Sequence, residues 1–181
     1  GGMPLSFSLD CFGPLARTAV DCARLYEIIA GADPMDPTAS AEPVDAYEAA
    51  ISKPVKGLRI GIDLRHGGIK PSAEVEAAIE AALEVYDDMD VEIVEVTMPD
   101  QDELNALSNI ITRSEAATLH REWLRSRRDD YSPQVRRRLE IGLAVPATRY
   151  IEALSLRSHH LQRLIDAVFS KCDVLILPSV G

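Results

Sequence analysis

Glu115 is a carboxylate on an apolar helical stripe, with Ile111 one turn before it and Leu119 one turn after. A carboxylate turned toward a core is costly unless it is paired. The expectation is a buried or interfacial structural ion pair, supplied by the neighbourhood of Arg113 or by a residue distant in sequence. His120 lies beside the same stripe and shares that expectation. The other candidate residues are weaker. His66 precedes Gly67-Gly68, which lacks the GxGxxG continuation of a phosphate loop, so His66 is expected to face solvent. His159 and His160 are adjacent on a helix and point about 100° apart, so they cannot chelate one metal ion. Asp33, Asp36, Glu42 and Asp45 lack the spacing of a calcium loop and read as a solvated loop. No metal or other cofactor is implied. No residue is assigned a catalytic role.

Composition narrows the function classes. The chain has 181 residues, 46% of them hydrophobic and only 5% aromatic, so its core must be filled with Ala, Leu, Ile and Val. The net charge of -10 argues against a nucleic-acid surface, which needs clustered cations. The basic run from Arg121 to Arg138 is broken by Asp129, Asp130 and Pro133 and reads as a solvated helix face and turn. Three cysteines, Cys11, Cys22 and Cys172, show no CxxC or metal-ligand spacing. Cys22 reads as a small buried hydrophobe, and a reducing, cytoplasmic compartment follows. No apolar run approaches the roughly 20 residues that span a bilayer, so no membrane partner is expected.

The elements that must position these residues follow from periodicity and caps. Thr18 with Asp21 three residues on forms a capping-box-like start for a helix whose apolar residues run almost around the cylinder. So apolar a helix reads as a core helix, closed by Gly31. Ala32–Pro54 is a Pro- and Asp-rich loop with one short helix from Ala46 to Ile51. Leu58–Ile62 reads as a buried strand and Pro71-Ser72 as a helix start, with Val75, Ala78, Ile79, Ala82, Leu83 and Tyr86 as its buried stripe. Val91–Met98 is a second strand, so strand, helix and strand make a βαβ unit and an α/β class. Helices follow over Asp102 to about Arg128 (in one or two pieces), over Ser132-Pro133 to about Ala144, and from near Ala147. Val174–Leu177, apolar throughout, reads as a central strand.

Several of these stretches carry a family resemblance. Ser8-Leu9-Asp10, Gly13-Pro14-Leu15-Ala16-Arg17-Thr18, Ala30 to Thr38, Lys56-Gly57-Leu58-Arg59-Ile60-Gly61 and Asp173-Val174-Leu175-Ile176-Leu177-Pro178 occur in an order similar to that of the amidase signature family of serine amidohydrolases. The resemblance implies an α/β fold, a mostly parallel or mixed sheet flanked by helices, and cleavage of a carbon–nitrogen amide bond through a serine acyl-enzyme. Family members use a lysine and two serines from a segment upstream of the opening block. Gly1 to Leu5 resembles the tail of the segment that follows the nucleophile. The expectation is therefore a single partial amidase domain over 1–181, truncated at both ends, non-catalytic by itself, and forming part of the wall around a small-molecule amide substrate.

By the same resemblance the loop from Ser8 to Gly13 passes near the catalytic centre. This makes Leu9, Asp10, Cys11 and Phe12 pocket-lining or supporting residues, and lets Glu115 face substrate or position water. Asp10 and Arg17 are expected to pair and fix the Gly13-Pro14 turn, with Thr18 and Asp21 as further structural support. Two other classes stay open. One is a glutaminyl/asparaginyl-tRNA amidotransferase of the A-subunit type, although Cys11-Phe12 departs from the Gln-Ile of those members. The other is an inert binding or oligomerisation module, and a homo-oligomer is compatible with every reading.

Overall fold

A computed structural model describes residues 2–63 and 70–178, and His66 with Gly67-Gly68 lies outside the described residues. The chain forms two compact units, Cys11–Val55 and Gly1–Asp10 together with Lys56–Gly181.

In the smaller unit Thr18 has extended backbone and its hydroxyl accepts from Asp21 N–H at 3.1 Å, which starts α1 (Ala19–Ile29). Beyond the C-cap Ala30, Gly31 has φ +117°, a conformation that favours glycine. Helix α2 (Tyr47–Ile51) is tied to α1 by Arg24 to Glu48 at 2.6 Å and by Tyr26 against Tyr47, ring centroids 5.0 Å apart. The expectation of a core helix is corrected here. Of α1 only Ala23 is buried, while Leu25, Ile28 and Ile29 are exposed. An all-round apolar helix needs neighbours on every side, and within its unit α1 has one five-residue helix and a loop. In that loop Asp33 and Asp36 turn their carboxylates onto the N–H groups of Met35 and Thr38. Cys22 is half-buried, its thiol 3.9 Å from the Pro14 carbonyl.

The larger unit is built on a parallel sheet in the order β2-β1-β3. Strand β1 (Arg59–Ile62) is central, with Ile60 and Ile62 buried. Strand β2 (Glu92–Glu95) pairs with one side, Ile93 opposite Ile60, and β3 (Val174–Ile176) with the other, Val174 opposite Ile60. The apolar final strand thus has one neighbour among the described residues, not two, and Val174 is exposed. The centre of this sheet belongs to β1, where Gly61 lets Cys172 approach. A Cβ at Gly61 would stand 2.6 Å from Cys172 Sγ. Asp173 locks β3 to β1 by accepting from Arg59 N–H at 3.0 Å and from its guanidinium at 2.6 Å.

Helix α3 (Ala73–Asp87), capped by Ser72, connects β1 to β2. Its stripe is half-buried at Val75, Ile79, Ala82, Leu83 and Tyr86, and Ala78 is exposed. Helix α4 (Gln101–Ser126) is one unbroken 26-residue element, longer than the mean of about 11–12. It packs on α5 (Pro133–Leu143), capped by Ser132, and on α6 (Ala147–Leu164), which runs into a π-helical turn at Ile165–Phe169. Ala116, Leu124 and Leu139 form one core cluster, and Val96, Met98, Val168 and Cys172 form another.

Gly142 on α5 sets the closeness of the α4–α5 contact, because a Cβ there would overlap the backbone carbonyl of Arg113. Gly142→Ala should lower stability by about 3 kcal/mol, an overpacking cost, and Tm by roughly 6–12 °C. Gly13→Ala meets nothing within 4 Å and should change thermal unfolding by no more than about 0.5 kcal/mol. Equal melting of the two variants would contradict the packing described.

Candidate functional site

Glu115, 1% exposed, is the centre of a buried polar network in the larger unit. Oε2 accepts from the Ser6 hydroxyl at 2.6 Å and from the Ser8 backbone N–H at 3.0 Å, while Oε1 accepts from the Ser8 hydroxyl at 2.7 Å and the Tyr150 hydroxyl at 2.8 Å. The expected ion pair is corrected: all four donors are neutral. Four donors satisfy a carboxylate as well as a guanidinium does, without bringing a second charge out of water. Burial pushes the Glu115 carboxyl up, yet the bonds from Ser6, Ser8 and Tyr150 outweigh it and hold the group below its ordinary 4.5. The Tyr150 phenol is pushed up to about 12, by burial first and then by its bond to the carboxylate.

The segment that Glu115 holds is a tight turn. Leu9 and Asp10 N–H both donate to the Ser6 carbonyl, at 3.2 and 2.9 Å. Asp10 closes it by accepting from the N–H groups of Leu5 and Ser6, at 2.6 and 2.9 Å. Arg157 of α6 donates to the Ser8 carbonyl at 3.4 Å. One buried anion therefore fastens the N-terminal turn to α4 and α6 together. Sequence spacing did not reveal this. Ser6 and Ser8 sit two residues apart around Phe7, which is a signal only in retrospect, and nothing in the sequence marks Tyr150.

The network ties one turn to two helices through a single carboxylate. Ser6 is itself 1% exposed, and the carboxylate it faces is a weak base because its charge is already spread over four donors. His120, also buried, is satisfied locally, with Nδ1 2.9 Å from the Tyr131 hydroxyl and its ring edge-on to Trp123.

Three cavities surround the network. One of about 510 Å³ is lined by Leu9 with α4 and α6, and one of about 470 Å³ by Phe7, Glu115 and Tyr150 among others. A third, about 400 Å³, receives Leu5, Asn109, Arg113 and Arg138. Leu9, Asp10 and Glu115 thus belong to one neighbourhood. Cys11, Phe12, Arg17, Thr18 and Asp21 lie in the smaller unit, where Cys11 and Phe12 are exposed.

A parallel α/β scaffold whose opening turn is clamped by a buried glutamate defines the class. The sequence profile of the family described as Amidase matches residues 1–181, and the chain belongs to that family. An amidase of Pseudomonas putida is 36% identical over 180 residues, which is 99% of this chain and 38% of that protein. The A subunit of glutamyl-tRNA(Gln) amidotransferase from a Roseiflexus species is 33% identical, over 99% of this chain and 41% of its own length. Among solved structures, one from a vestigial protein complex bearing on the origins of an s-triazine catabolic enzyme has TM-score 0.83 and 30% identity, covering 97% of this chain and 37% of its own. A crystal structure of an amidase has TM-score 0.76 and 28% identity, covering 97% and 36%. The chain spans about two fifths of the length of the curated relatives it matches. Among the described residues no helix is long and apolar enough to cross a membrane.

Glu115→Gln should cost about 3 kcal/mol at pH 7, since an amide group would turn its own N–H toward hydroxyl donors. Because the folded carboxyl lies below its ordinary 4.5, its contribution is complete above that pH and is lost as the pH falls through the lower folded value. Urea unfolding at pH 7 and pH 3 should show the gap between Glu115→Gln and the parent sequence narrowing in acid. A gap equal at both pH values would mean that the charge plays no part.

Proposed function

We propose that this chain is the scaffold and pocket-wall portion of an amidohydrolase that cleaves a carbon–nitrogen amide bond of a small molecule through a serine acyl-enzyme. The observation that carries this reading is the Amidase profile running over all of residues 1–181. An acyl-transfer centre needs an activated serine, a proton relay and donors aimed at the oxyanion. Under this reading the serines and lysine lie outside residues 1–181, and the Glu115 network fixes the wall beside them. Leu9 and Asp10 then border the substrate region, with Cys11 and Phe12 following. Glu115 acts through the turn it holds and also lines the wall of the same region. Arg17 supports the Gly13-Pro14 turn, and Thr18 with Asp21 gives structural support at the start of α1. The setting is cytoplasmic, and the protein needs no cofactor.

A second reading is supported by relatives described as the A subunit of glutamyl-tRNA(Gln) amidotransferase, 29–35% identical over 99% of this chain. It would make the whole protein one component of a complex that acts on charged tRNA.

The discriminating experiment follows ammonia release from small primary amides by the product of the complete gene and by residues 1–181 alone. Only the longer product should turn over, and a serine-reactive fluorophosphonate should stop it. Activity that appears only with partner proteins and tRNA would favour the second reading. Hydrolysis by residues 1–181 alone, with probe on Ser6 or Ser8, would overturn the assignment.

A further inference from the structure

The cavity of about 510 Å³ between α4 and α6 falls in the size range of small-molecule sites. Its walls are aliphatic, from Leu104 and Leu107 on α4 and Leu161 and Leu164 on α6. Two nitrogen-bearing side chains of α6, Arg157 and His160, also line it, three residues apart and so on one helix face.

His160 is the exceptional residue. It is 4% exposed, and its Nε2 is buried with no hydrogen-bond partner among the described residues, Glu103 Oε1 standing 3.6 Å away. Buried polar atoms in folded proteins are nearly always partnered, because desolvation is otherwise uncompensated. Other buried groups of the larger unit obey this rule: Glu115 has four donors and His120 has Tyr131. Arg157, too, is engaged only weakly, by one carbonyl at 3.4 Å. Glu103 would repel an anion at this end, but Arg163 lies 3.3 Å from its carboxylate and offsets that charge.

We propose that this cavity is a binding site for a small amphipathic carboxylate, an alkyl or aryl acid. Its apolar body lies along the four leucines, and its carboxylate is held by Arg157 with His160 as the second polar partner. Guanidinium and carboxylate match in planar, two-bond geometry, which selects acids over amines and over neutral molecules of the same shape. The site binds without breaking a bond, so it stands whether or not the amidohydrolase reading holds.

The test titrates the product of the complete gene, labelled with ¹³C at leucine methyls, with 4-phenylbutyrate, and compares 4-phenylbutylamine and acetate. The expected result is saturable shifts at Leu104, Leu107 and Leu161 with the acid, and none with the amine or acetate. Arg157→Gln should weaken the acid roughly tenfold, the scale of one charge-assisted bond. His160→Phe, which keeps the ring and removes the nitrogens, should weaken it severalfold without loss of fold. Leu107→Trp should fill the cavity and abolish binding, with circular dichroism confirming a folded chain. Equal binding of acid and amine, acid affinity untouched by both Arg157→Gln and His160→Phe, or no saturable shift would each overturn the proposal. So would a concentration-dependent dimer that covers these leucines and that the acid does not displace.

Discussion

The fold of the larger unit depends on a carboxylate that meets no cation among the described residues. Glu115 accepts hydrogen bonds from two serine hydroxyls, one peptide N–H and one phenol, drawn from the first ten residues and from α6. A buried anion is tolerable only when its lone pairs are filled with good geometry. That condition dictates where the N-terminal turn lies and which way Tyr150 points. The same condition makes the network intolerant of partial loss, since removing one donor leaves charge uncompensated in a medium of low dielectric.

Around this anchor the packing is close where small residues permit it. Gly61 admits Cys172 against the sheet, and Gly142 brings α5 onto the backbone of α4. Gly142 thus fixes α5 on α4, and the Tyr150–Glu115 bond ties α6 to the same helix, so the cavities along α4 have preformed walls. That is what a site needs from a scaffold: side chains held to within about half an ångström by neighbours that cannot move independently.

Much of the architecture was legible in the sequence. Thr18, Ser72 and Ser132 mark helix starts that the chain uses, and the short apolar runs at Leu58–Ile62 and Val174–Leu177 become paired strands. The failures have a common cause. Periodicity reports that a face is apolar but says nothing about what covers it, and so α1 reads as a core helix although its leucine and isoleucines are exposed in this chain. The apolar run of β3 reads as a strand whose far side pairs with further chain, and its one neighbour among the described residues, β1, agrees with that reading. At the site, the apolar stripe correctly marked Glu115 as a carboxylate in need of partners. Their identity was hidden because hydroxyls from Ser6, Ser8 and Tyr150 leave no periodic trace, whereas a lysine or arginine nearby suggests itself too easily.

Two fastenings of the larger unit join residues far apart in its sequence. Ser6 reaches Glu115 across 109 positions, and Arg59 reaches Asp173 across 114. Contacts of such span close late, because the entropy of a long loop must be lost before either bond can repay it. During synthesis β1 therefore emerges with one flank bare, and it stays so until residue 176 is available to lie beside it. For that interval the nascent chain presents an apolar strand with one open edge, the kind of edge that invites association with another chain.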